Sequence, residues 1–144
     1  MIHKHSLSGR ILTSLIVGFV TGGIIHYTLV YWGARFDSYF TVGLWLFYLP
    51  MSMTIALMGM LSHHPIFGFP ITWWLRGFVI GTIYHLLLVL LSYGAMYHIT
   101  TLPKAIAFGL ISPGNIIVYG AFIGMLISGI VTKVSGEGER LPIQ

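Results

Sequence analysis

His26 and His85 are the side chains best placed for chemistry, because each stands inside a long apolar run. An ionisable residue at such a position marks a functional site by default. Gly22 and Gly81 lie four residues before them, on the same face of each helix, and leave room beside the imidazole for a flat group. Two inward imidazoles in a dry slot between helices are the axial ligand set of a low-spin b-type haem. The ordinary alternative is that each histidine hydrogen-bonds a neighbouring helix, a contact of about 1 kcal/mol. The pairs Gly18/Gly22 and Gly77/Gly81 would then simply let helices approach closely.

A repeat links the two sites. Gly18-Phe19-Val20-Thr21-Gly22-Gly23-Ile24-Ile25-His26 and Gly77-Phe78-Val79-Ile80-Gly81-Thr82-Ile83-Tyr84-His85 agree at six of nine ungapped positions, namely Gly18/Gly77, Gly22/Gly81, Phe, Val, Ile and His. A weaker match joins Gly59-Met60-Leu61 to Gly124-Met125-Leu126. A full hairpin separates the copies, so both run the same way, as in a tandem parallel repeat with its axis along the membrane normal. The expected ligands are therefore His26 and His85, with Gly22 and Gly81 flanking the group. One feature opposes this pairing. Within their apolar runs, His26 falls on the outer side of the midplane and His85 on the inner side, a depth difference of about 10 Å. His98 is the substitute partner for His26 on the outer side. His3, His5, His63 and His64 form a second set of imidazoles near the opposite face, suited to copper or zinc or simply to an interface.

The elements that must hold these residues are four membrane-spanning helices. Charged residues make up 7% of the chain and mean hydropathy is +0.90, against about a quarter charged in a soluble domain. The acids Asp37, Glu137 and Glu139 all lie outside the apolar runs, and there is no cysteine. That leaves no disulfide, no thiolate ligand and no covalent haem attachment. Apolar stretches over 11–32, 41–61, 74–97 and 113–131 each reach the length of about 20 residues that a bilayer requires. The first is too long, and wrongly flanked, for a cleaved signal peptide. Pro50 interrupts the second, Trp32, Trp45, Trp73 and Trp74 form aromatic belts, and residues 133–144 form a mobile tail. Thr101 and Pro103 suggest a short interfacial helix between the third and fourth spans.

With the N-terminus inside, Lys4, Arg10, Arg76, Lys133 and Arg140 are cytoplasmic while Arg35 and Lys104 are not, which sets both termini inside. Arg76 is expected to snorkel to the inner headgroups. The fold class is thus all-α integral membrane, a four-transmembrane-helix bundle within one domain, 1–144. The membrane is a prokaryotic inner (cytoplasmic) membrane or an organellar one. A basic chain this apolar has the lipid bilayer, not nucleic acid, as its partner.

The paired-histidine, glycine-flanked layout resembles that of small b-type cytochrome subunits. That resemblance implies haem b held by His26 and His85, electron transfer within a larger membrane complex, and other membrane subunits as partners. Quinone or lipid are further candidates for the same site. The second reading is a non-catalytic accessory subunit without a cofactor, in which Gly114, Gly120, Gly124 and Gly129 give the fourth span a smooth docking face. No carboxylate relay, intramembrane Ser/His/acid set or phosphate loop is present in the sequence, so an electron-transfer or non-catalytic subunit is favoured over an independent enzyme.

Overall fold

A computed structural model describes residues 7–36, 38–61 and 71–136, and the helices found there are α1 (Leu7–Trp32), α2 (Tyr39–Met58), α3 (Trp73–Leu91), α4 (Tyr93–Thr100), α5 (Pro103–Ala107) and α6 (Pro113–Ser135). Four of them, α1, α2, α3 and α6, are long and apolar enough to cross a membrane. The described residues contain no strand. His3, His5, His63 and His64 lie outside them, as does most of the tail.

Three of the expected spans shift by a few residues at their ends, α1 starting at Leu7, α2 covering Tyr39–Met58 and α6 running to Ser135, and the third departs further. The apolar run over 74–97 is two helices, broken at Ser92, whose φ of −129° and ψ of 34° leave the helical region. Ser92, Tyr93 and Gly94 are weaker helix formers than the leucines before them, so the ladder gives way there. Beyond the break, Met96 and Ile99 of α4 are both buried. The short helix expected between the last two spans exists as α5, with Pro103 in its first turn and Leu102, not Thr101, at its cap position. At the start of α6, Ser112 and Asn115 form a reciprocal capping box.

Within the bundle α1 pairs with α2 and α3 with α6. Lipid provides no hydrophobic drive between helices, so close packing must come from small residues and polar ties. Both Gly-x-x-x-Gly pairs supply the first. A Cβ on Gly18 would sit 2.6 Å from the Tyr48 carbonyl oxygen, and one on Gly22 would sit 2.7 Å from the Trp45 ring. In the second hairpin a Cβ on Gly77 would meet Met125 Cα at 2.7 Å, and one on Gly81 would meet Gly124 Cα at 3.0 Å. The glycines therefore do the same work in both hairpins, each admitting its own hairpin's second helix. The weaker similarity between the second helices has no such counterpart. Gly124 packs at the middle of α6, whereas Gly59 ends α2 beneath the Arg10 guanidinium.

The supposed smooth face of α6 is also mostly internal: Gly120 and Gly124 face α3, Gly129 sits beside the Trp73 ring, and only Gly114 is exposed. α2 and α6 touch across the centre and leave α1 and α3 at opposite corners.

Polar ties close the end that carries both termini. Arg10, fully buried, donates from Nε to the Ala56 carbonyl at 2.9 Å and from Nη1 to the Gly136 carbonyl. It thereby satisfies carbonyls near the C-terminal ends of α2 and α6, where the helix dipole favours a cation. Arg76 does not snorkel. It is buried, and its Nη2 donates to Thr132 Oγ1 at 2.9 Å, one turn from Gly136 on α6. A neighbouring helix offers a hydroxyl that replaces the headgroup contact.

Because the Gly124 site is backed by the Gly81 backbone, which cannot yield as a side chain would, Gly124→Ala should cost about 1–3 kcal/mol. Gly43, within α2, has open space around it. Gly43→Ala should be neutral or stabilise by up to about 1 kcal/mol. Unfolding in mild detergent measures both, and equal effects would contradict the packing described.

Candidate functional site

The two histidines are both buried but have different neighbours and different depths. His26 Nδ1 lies 3.1 Å from the Thr41 carbonyl at the start of α2. A carbonyl only accepts, so Nδ1 carries the hydrogen, and in the neutral ring Nε2 then holds the lone pair. That Nε2 is buried with no hydrogen-bond partner among the described residues. The ring is enclosed instead by aromatic neighbours, with Phe36 edge-on at 4.9 Å and Trp45 tilted at 5.4 Å. Thr41 is itself anchored: its hydroxyl lies within hydrogen-bond reach of the Arg35, Phe36 and Ser38 carbonyls and of the Ser38 side chain. His26 thus pins the tight α1–α2 turn.

His85 joins the two hairpins. Its Nδ1 donates to the Gly81 carbonyl at 2.9 Å, which leaves Nε2 to accept the Tyr48 hydroxyl hydrogen at 3.1 Å. Phe47 packs edge-on to the ring at 5.8 Å, and the Gly120 backbone lies against its other side. A second tie runs beside it, where Tyr84 Oη lies 2.7 Å from Thr54 Oγ1 and 3.3 Å from the Pro50 carbonyl. Tyr48 and Tyr84 are positions that the sequence reading did not single out. The available signal was a phenol two to three turns inside an apolar helix, where its hydroxyl must find a partner.

The residues do not fit a haem between α1 and α3. α2 and α6 intervene. The notch at Gly22 is occupied by Trp45, and the notch at Gly81 by the Gly120 and Gly124 backbone. The acceptor nitrogen of His85 is engaged by Tyr48. The histidines' partners on α2, Thr41 and Tyr48, are seven residues apart, which separates the rings by about 10 Å in depth. His98 does not rescue the arrangement, being exposed near the end of α4. Among the described residues there is no group of three or more metal-ligating side chains.

A different site is present. Between the hairpins, toward the turn end of the bundle, lies a cavity of about 160 Å³. Its walls are apolar side chains from every helix but α5, including Leu29, Leu44, Leu88, Met96 and Ile123. Tyr48 and His85 line it, as do Trp32, Phe108 and Tyr119. The Trp32 and Phe108 rings lie tilted to one another at 5.4 Å, and the Tyr119 hydroxyl donates to the Phe108 carbonyl at 2.8 Å. Phe108 and Tyr119, both exposed, mark the mouth. Met96 and Ile99 of α4 continue the wall that His85 and Leu88 begin on α3. No protein-family model, curated protein or solved structure matches the chain.

With 15N-labelled imidazoles in a bilayer, both histidines should appear as Nδ1–H tautomers, and Tyr48→Phe should shift the Nε2 resonance of His85 while leaving that of His26 in place. An Nε2–H tautomer at His85 would contradict the assigned bond.

Proposed function

We propose that this protein is a multi-pass membrane subunit that holds a small lipophile in the cavity between its hairpins, with the Tyr48–His85 pair as the polar feature of the site. The observation that carries this reading is the cavity itself. An apolar cavity of about 150 Å³ is large enough to bind a benzene ring, and this one is of that size. A tetrapyrrole, with four rings, is far too large for it. Quinone-type headgroups and lipid-derived rings are the right size. Pockets of this kind, mostly apolar with few polar groups, are the usual form of small-molecule sites between helices.

The terminal end of the bundle faces the cytoplasm in this reading, supported by the excess of Lys and Arg there. The two hairpins descend from a tandem repeat, supported by the shared work of Gly18/Gly22 and Gly77/Gly81. After duplication the histidines diverged, His26 tying a turn and His85 tying the hairpins.

Organic extraction of the protein purified in mild detergent should yield a ring-bearing lipophile at near-stoichiometric amount. Leu88→Trp, which fills the cavity, should lower that yield at least fivefold. An empty cavity in a protein that purifies only with other membrane subunits would favour the accessory, cofactor-free subunit instead. A haem spectrum lost in both His26→Ala and His85→Ala would overturn the reading.

A further inference from the structure

The hydrogen atoms around the cavity are committed in one direction, and this selects the ligand. Tyr48 gives its hydroxyl hydrogen to His85 Nε2, Tyr119 gives its own to the Phe108 carbonyl, and Thr28, also on the wall, donates to the Ile24 carbonyl at 2.8 Å. Each oxygen keeps acceptor capacity and has no hydrogen left to offer. His85 cannot offer one either, since its Nδ1 hydrogen goes to Gly81. Among the polar lining side chains, the Trp32 indole, beside Phe108, is the one whose donor has no acceptor among the described residues. The buried part of the cavity, around Tyr48 and His85, is thus an acceptor site.

Two features narrow the class of donor. Tyr48 donates into a chain that runs through the His85 imidazole to the Gly81 carbonyl, and such chains polarise, so the phenol oxygen becomes a better acceptor than an isolated one. It favours a strongly polarised O–H, phenolic before aliphatic. The wall also carries the rings of Trp32, Tyr48, Phe108 and Tyr119, which suit a flat aromatic ring with a tail leaving through the mouth.

We infer that the cavity takes a single-ring phenol or hydroquinone on an apolar tail, with the ring hydroxyl donating to Tyr48 Oη, in preference to the corresponding quinone or ether. This rests on the reading of the cavity as a lipophile site.

The test uses the full chain in nanodiscs, held anaerobically, and four probes of equal tail length: an alkyl hydroquinone, its dimethyl ether, the quinone, and an alkyl cyclohexanol. The hydroquinone should bind about tenfold more tightly than the ether or the quinone, the value of one hydrogen bond of roughly 1.4 kcal/mol. The cyclohexanol should fall between. Tyr48→Phe should bring all four within about twofold while the ether keeps its wild-type affinity. Tyr27→Phe, exposed and outside the cavity lining, should keep the discrimination.

Equal affinity of hydroquinone, ether and quinone for the wild-type protein would overturn the inference while leaving a lipophile site in place. Cyclohexanol binding as tightly as hydroquinone would overturn the aromatic class. Failure of every probe to bind would overturn the cavity reading as well. These comparisons on the wild-type chain decide the matter even if Tyr48→Phe fails to fold.

Discussion

An imidazole taken into lipid keeps one nitrogen with an open lone pair, and no solvent is there to donate to it. At His85 the donor is Tyr48, on a helix of the other hairpin. That bond requires α2 and α3 to run side by side at a fixed depth. Gly120 must be bare for the His85 ring to fit against α6, and Gly77, Gly81 and Gly124 must be bare for α3 and α6 to meet. Once these approaches are set, the space above the bond at the turn end is not filled by the four spans. It becomes the cavity, closed by α4 and by the Phe108 region.

At the other end the arrangement relies on charge. Arg10 reaches carbonyls near the ends of α2 and α6, and Arg76 reaches the Thr132 hydroxyl on α6. Each guanidinium is held inside the bundle by oxygen acceptors of neighbouring helices, a placement favoured near helix C-termini. The molecule is therefore joined by charge-assisted bonds where the termini lie and by neutral hydrogen bonds at mid-depth. Toward the turns, van der Waals contact around a partly open space takes over.

Much of the scaffold was legible because lipid imposes a length and a composition on any segment that crosses it. The presence of the first two spans, though not all of their ends, and the start of the last at Pro113 could be read for that reason. The short helix α5 followed from Pro103. The break at Ser92 was not legible, since the run through Tyr97 is apolar throughout and hydropathy does not register one residue leaving the helical region. The site was half legible. His85 stood out as an ionisable residue in an apolar run, and its burial agrees with that. Its partner could not be read, because symmetry between copies pointed to His26, whereas contact depends on which helix lies adjacent. The depth offset between the two histidines, already visible in the sequence, was the correct warning. Gly22 and Gly81 illustrate the same ambiguity: a missing side chain makes room either for a ligand or for a backbone, and here the second helix of each hairpin takes the space.

The claim on which the account turns is the bond between Tyr48 and His85, and a double-mutant cycle measures it directly. Unfolding free energies in bilayer-like conditions for the parent, Tyr48→Phe, His85→Asn and the double variant should give a coupling of about 0.5–1.5 kcal/mol, the range such bonds show in membrane proteins. Additive effects, with no coupling beyond about 0.3 kcal/mol, would mean that the two side chains do not meet.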